Sequence, residues 1–224
     1  MCRFKSGIIL KNKVEIAPEE NDSHSDLLRN LGIKDDYIGA TKTFVRAELV
    51  PKDNKWWISP EENPSEWIFI VDQDITPDWF CRETYEPIFR TAVCEWWQKH
   101  VLIDQKIDEL NGGYYRLKRC EVKKLYNDVR VLLSDSQVGE MYGSSQVGEM
   151  YGSSQVGKMY DSSQVGEMWA SSQVGEMYDS SQVGKMWASS QVGKMWASSQ
   201  VGEMYGSSQV GEMYDSSQVG KMWA

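Results

Sequence analysis

Few residues in this chain have the type and spacing for chemistry. Cys2 becomes the N-terminal residue if Met1 is removed, and a terminal cysteine can act as nucleophile and base together. No companion group stands beside it, so an inert thiol is the simpler reading. The run Asp22-Ser23-His24-Ser25-Asp26 holds side chains suited to acid–base work. Neighbours in sequence do not all face one point, and helix capping by Asp22 or Ser23 explains the run better. Asp72-Gln73-Asp74, followed by Asp78, offers carboxylates to a cation. It lacks the glycine and distal glutamate of a calcium loop, so a strand end and a cap before Pro77 account for it. The four cysteines (Cys2, Cys81, Cys94 and Cys120) form no Cys-x-x-Cys pair, and the chain has only two histidines. A disulfide framework or a zinc site of ordinary spacing is therefore not expected. The expectation is no catalytic set, no metal and no cofactor. The alternative is a small enzyme in the N-terminal part that uses Cys2 and His24.

The elements that would position such residues fall into two compositions. Residues 1–115 contain all six prolines and both histidines, and read as a small α+β domain. Ser6–Leu10 and Val14–Ala17 form a hairpin around Lys11-Asn12-Lys13. Asp22 or Ser23 opens a helix through Leu27, Leu28 and Leu31, ended by Gly32. Thr43–Val50 and Trp67–Val71 read as strands. A helix from Thr84 or Tyr85 to His100, with Pro87 in its first turn, carries Ile88, Phe89, Ala92, Val93, Trp96 and Trp97 as one apolar stripe. Trp56, Trp57 and Trp67 read as core. Asn111-Gly112-Gly113 is a turn.

The second composition, residues 116–224, is a repeat. From Ser136 the unit is Ser-Ser-Gln-Val-Gly-(Glu/Lys)-Met-(Tyr/Trp)-(Gly/Ala/Asp), with valine every nine residues from Val138 to Val219. It fades backward through Val129 and Leu132, and through Val122-Lys123-Lys124-Leu125-Tyr126. Glycine, two serines and valine in each unit disfavour a helix. Valine, methionine and an aromatic in each unit argue against disorder. A parallel β-solenoid, with identical residues stacked in ladders, fits best.

The Glu/Lys position reports the coil length. Charges nine residues apart are opposite in five of nine pairs, and charges eighteen apart in seven of eight. Opposite charges stacked directly stabilise a sheet by roughly 0.2–1 kcal/mol per pair, so the coil is eighteen residues, two repeats. One ladder (Glu140, Lys158, Glu176, Lys194, Glu212) alternates throughout. The other (Glu149, Glu167, Lys185, Glu203, Lys221) has one like-charge step. Asp161 and Asp179 also stack, and are expected in a solvated turn. Valine and methionine point inward, with the serine two before valine. Corners fall at Gly-(Glu/Lys) and at (Gly/Ala/Asp)-Ser. Two outward aromatic ladders result: Tyr142, Tyr160, Tyr178, Trp196, Tyr214 on one side and Tyr151, Trp169, Trp187, Tyr205, Trp223 on the other. Such stacks stabilise the sheet, and they can also serve as a binding stripe for a second copy, another protein or a glycan.

The whole chain resembles a group of phage and gut-bacterial proteins. The resemblance rests on Phe4-Lys5-Ser6-Gly7-Ile8-Ile9-Leu10, Asp22-Ser23-His24-Ser25, Phe44-Val45-Arg46-Ala47-Glu48-Leu49, and Val71-Asp72-Gln73-Asp74 with Pro77 and Trp79. It continues through Tyr115-x-Leu117-Lys118 into the serine–valine repeats. It implies a phage or prophage source and a repeat number that varies by tandem expansion; it implies no activity.

The formal net charge of −9 argues against a nucleic-acid backbone binder or a polybasic membrane-surface protein. The apolar run Gly7–Leu10 is too short for a signal-peptide core, and no stretch approaches a membrane helix. Free cysteines fit a reducing, cytoplasmic setting. The sequence leads to a non-enzymatic structural or interaction protein and a homo-oligomer. No polar cap follows the last repeat, so Val219, Met222, Trp223 and Ala224 are expected to pair tail to tail with a second copy.

Overall fold

A computed structural model describes residues 4–18 and 22–223. Cys2 and Ala224 lie outside the described residues. The chain divides into two units, residues 1–100 and 101–224.

The first unit is α+β. Strands β1 (Lys5–Leu10) and β2 (Lys13–Ile16) form the expected hairpin, and β3 (Phe44–Pro51) and β4 (Trp67–Val71) complete an antiparallel sheet of order β2-β1-β3-β4. Helix α1 (His24–Asn30) begins where expected, because the Ser23 side chain accepts the Asp26 N–H. Its Leu27 and Leu28 pack with Ile8, Ala17 and Phe44. A short helix, α2 (Tyr37–Lys42), was not foreseen; the Asp36 carboxylate caps it by accepting the Gly39 N–H. Helix α3 (Arg82–His100) packs on β1 and β2. Gly7 allows this approach, since a side chain there would meet the Phe89 ring and Glu15 O at 2.7 Å.

Two expectations for α3 are corrected. It starts at Arg82, so Pro87 lies in its interior and not its first turn. Its stripe is narrower than the sequence suggests: Phe89, Val93 and Trp96 are buried, while Ile88 is 48% exposed.

The second unit is a parallel β-solenoid. Strands β5 (Val101–Ile103), β6 (Lys106–Asn111), β7 (Tyr114–Lys118), β8 (Glu121–Tyr126) and β9 (Arg130–Ser134) precede ten regular strands, from β10 (Gln137–Met141) and β11 (Gln146–Tyr151) to β19 (Gln218–Trp223). They alternate between a seven-stranded and an eight-stranded parallel sheet. The ladders therefore begin at Val101, upstream of residue 116.

The regular coil is eighteen residues: Val138 pairs with Val156, Glu140 with Lys158 and Met141 with Met159. The like-charge step falls at Glu149 and Glu167, which are in register. Valine and methionine fill the core, and the serine two before each valine is fully buried from Ser136 to Ser199.

Earlier coils are shorter, and this moves the register. Val122 pairs with Val138, sixteen positions on, and Ile107 with Val122, fifteen on. The residue under Val147 is accordingly Val131, not Val129, and Leu133, not Leu132, lies under Met150. Pairing shifts between Val147 and Met150, because Val-Gly-Glu-Met holds one more residue than Val-Leu-Leu. The extra residue, within Gly148-Glu149, makes a bulge at this step, whereas the regular coils pair without a shift. The expected corner at Gly-(Glu/Lys) is not a strand break: the strand runs through it, burying valine and methionine while the two residues between face outward.

This glycine is required by crowding, not by a positive φ. A Cβ at Gly157 would sit 2.5 Å from Gly139 O, and the same contact recurs up both sheets. The real corner is the Gly/Ala/Asp position, which adopts left-handed backbone at Gly143, Asp161, Ala170, Asp179, Ala188 and Ala197.

Candidate functional sites: an imidazole–carboxylate cluster and two aromatic stacks

In the first unit, strand pairing assembles a polar group that the sequence disperses. Ser6 pairs with Glu48 across β1 and β3. Glu48 pairs with Ile70 on β4, and the Asp72 N–H donates to Arg46 O just beyond that strand. His24, the first residue of α1, reaches this row: its Nε2 lies 3.1 Å from Ala47 O and its Nδ1 3.3 Å from Asp72 Oδ2. One ligand-type atom from each of His24, Glu48 and Asp72 lies within 4.8 Å of the others. His24 and Glu48 are buried, and Asp72 is exposed. His24 was expected at a capped helix start or, in the alternative reading, as a partner of Cys2, which lies outside the described residues; no metal set was expected. Ser23 does make the cap, but the histidine points into the sheet. Glu48 gave no signal in the sequence; a charge at an inward strand position opposite Ser6 is visible only once the register is known.

An open groove of about 430 Å³ runs alongside, lined by Asp35, Asp36, Tyr37, Arg46, Gln73 and Asp74 among others. Arg46 is engaged by Asp35, which also accepts the Ser25 hydroxyl at 2.7 Å. Gln73 is a bracket: it accepts the Arg46 N–H and donates to Ala40 O, Phe44 O and Ile75 O. The central residue of Asp72-Gln73-Asp74 therefore ties β3 to the segment around α2. The Gly39 N–H and Lys34 hold the Asp36 carboxyl below its ordinary range.

In the second unit, all ten aromatics expected in ladders form two stacks. Tyr126 extends the first below Tyr142, with centroids 5.3 Å apart. Spacings run from 3.9 Å at Trp196–Tyr214 and Trp187–Tyr205 to 6.5 Å at Tyr178–Trp196. Most rings are half-buried; Tyr151, Tyr214 and Trp223 are exposed. The hydroxyls of Tyr142, Tyr178 and Tyr205 donate to the glutamate two residues earlier at 2.7 Å, and Tyr151 and Tyr214 make the same bond. The bond to Glu140 pushes the Tyr142 hydroxyl up to about 12, and the bond to Glu176 does the same for Tyr178. Burial, then the bond to Glu149, raises Tyr151. The indole N–H groups of Trp169, Trp187 and Trp196 are buried with no partner among the described residues. These tryptophans supply ring area, not a hydrogen bond.

The charge ladders close at 3.6–3.7 Å in Lys158–Glu176, Lys185–Glu167, Lys194–Glu212 and Lys221–Glu203. Asp161 and Asp179 do not simply repel. Asp161 accepts the Gly143 N–H one coil below, and Asp179 accepts that of Asp161. In the last described coil Val219 is half-buried, Met222 is 75% exposed and Trp223 51% exposed.

Fold and sites together define a small α+β unit followed by a parallel β-solenoid of about eighteen residues per coil, with stacked aromatics outside. Comparison with protein-family models, curated proteins and solved structures found no match. Among the described residues, no helix is long and apolar enough to cross a membrane.

Proposed function

We propose that the chain is a non-enzymatic interaction protein whose solenoid presents its aromatic stacks to a second copy of itself. The observation that carries this is continuity. The rings remain within 4–13° of coplanar from Tyr126 to Tyr214 and from Tyr151 to Trp223. Their partly exposed edges form long apolar stripes, and such stripes on a protein surface mark contact sites. The exposed Met213, Met222 and Trp223 offer a further contact, through which two chains would meet tail to tail about a two-fold axis. On this reading the chain belongs with the phage and gut-bacterial repeat proteins that it resembles, and it works in the cytoplasm of a bacterial host.

Sedimentation velocity over a wide concentration range tests the reading. A dimer that dissociates when Trp169 and Trp187 are both replaced by serine supports the stack as the contact. A dimer lost only in Met222→Glu places the contact at the last coil. A monomer at every concentration defeats the proposal.

A further inference from the structure

We propose that His24, Glu48 and Asp72 form a binding site for a divalent first-row transition ion in the first unit. The argument starts from His24. A backbone carbonyl can only accept, so Nε2, 3.1 Å from Ala47 O, carries the proton. A neutral ring then presents its lone pair at Nδ1, which faces Asp72 Oδ2 at 3.3 Å. Metal-binding histidines are oriented in this way, with the other ring N–H given to a backbone carbonyl.

Glu48 is the independent observation. It is 7% exposed, its carboxylate lies within 4.8 Å of the other two donors, and it makes no hydrogen bond or ion pair among the described residues. A largely buried carboxylate with no cation beside it among the described residues favours a bound ion. The cation on the same face of β3, Arg46, two residues along, is held by Asp35. The Ser6 hydroxyl, opposite Glu48 in register, is also buried and unpartnered among the described residues.

One imidazole and two carboxylates suit Zn²⁺ or Mn²⁺. Asp72 is 57% exposed, which gives the ion an entry path and leaves coordination positions for water.

Isothermal titration calorimetry of zinc chloride and of manganese chloride into the chelator-treated full chain tests the site. One ion per chain is expected for at least one of the two metals. The affinity should fall by on the order of 10- to 100-fold or more in both Glu48→Gln and Asp72→Asn. Zinc should also shift the His24 ring-proton resonances. Circular dichroism checks that each variant is folded, and the exposed Asp72 decides alone if Glu48→Gln does not fold. Absence of saturable binding of either ion, or unchanged affinity in a folded variant, overturns the proposal.

Discussion

The Tyr178 hydroxyl donates to Glu176 Oε2 at 2.7 Å, reaching back from just past the end of the strand Gln173–Met177. Lys158 and Lys194 flank that glutamate in register from the coils on either side. One carboxylate thus serves a ring stack and a charge ladder together. The coupling ties the identity of the aromatic to the charge beside it: of the six tyrosines at this position in the regular repeats, only Tyr160 follows a lysine.

The coupling sets a pH dependence at both ends. The Tyr178 bond and the flanking lysines hold the Glu176 carboxyl below its ordinary 4.5. A lowered carboxyl contributes stability above its ordinary pKa and gives it up as pH falls through the depressed value. The hydroxyls of Tyr142 and Tyr178, raised from 10 to about 12, contribute fully below pH 10 and give up that contribution as pH rises through about 12. Ultraviolet absorbance titration should show tyrosinate forming late. Tyr178→Phe should remove one late-titrating group and return Glu176 toward its ordinary range.

Two glutamates at equivalent positions should respond oppositely to neutralisation. Glu140 lies between Lys124 and Lys158 in register, so Glu140→Gln should destabilise by about 0.5–1 kcal/mol. Glu149 lies under Glu167, and glutamine there keeps an acceptor for Tyr151. Glu149→Gln should be neutral or stabilising by up to about 0.5 kcal/mol. Urea unfolding at low and high salt measures both, and salt should shrink the difference.

Glycine-to-alanine substitutions separate the two kinds of glycine. Gly175→Ala would place a Cβ 2.5 Å from Gly157 O, with backbone on the opposing side, and should cost about 1–3 kcal/mol by overpacking. Gly206 occupies the corner that alanine already fills at Ala170, Ala188 and Ala197, and a Cβ there meets nothing closer than 3.6 Å. Gly206→Ala should cost about 1 kcal/mol or less. Equal losses in thermal unfolding would show that crowding is not what keeps glycine in the strand.

The solenoid was legible because each ladder repeats one interaction many times, so the order of Glu and Lys could report which residues stack. The sequence misled where a coil departs from eighteen residues. Val129 lies nine before Val138, but the sixteen-residue coil puts Val131 under Val147. The first unit was legible where the signal is local, as at the Ser23 cap and the β1–β2 hairpin. Its polar cluster was not: His24, Glu48 and Asp72 are brought together by the pairing of β3 and β4 and the packing of α1, which no local pattern encodes.

A buried ion pair supports the first unit. Lys5 is fully buried, 2.9 Å from Asp22 Oδ1 and 4.2 Å from the Trp96 ring centroid. Asp22→Ala removes the carboxylate that Lys5 engages and should destabilise the first unit by about 1–3 kcal/mol. Lys5→Met in the same chain should recover most of the loss, since an apolar chain suits the Trp96 face. A double-mutant cycle by chemical denaturation measures this. Additive losses would show that the pair is not coupled.

The glutamate–lysine alternation gives the second unit a parity. Its backbone repeats every coil, about 4.8 Å along the stack, but the Glu140 ladder returns to the same sign only every second coil. One coil inserted within that ladder must set two like charges face to face; a pair of coils, about 9.6 Å, leaves the sequence of signs intact. Within the Glu140 ladder, length can therefore change without a like-charge contact only in even steps, whereas the Glu149–Glu167 step of the other ladder would accept a single coil bearing lysine.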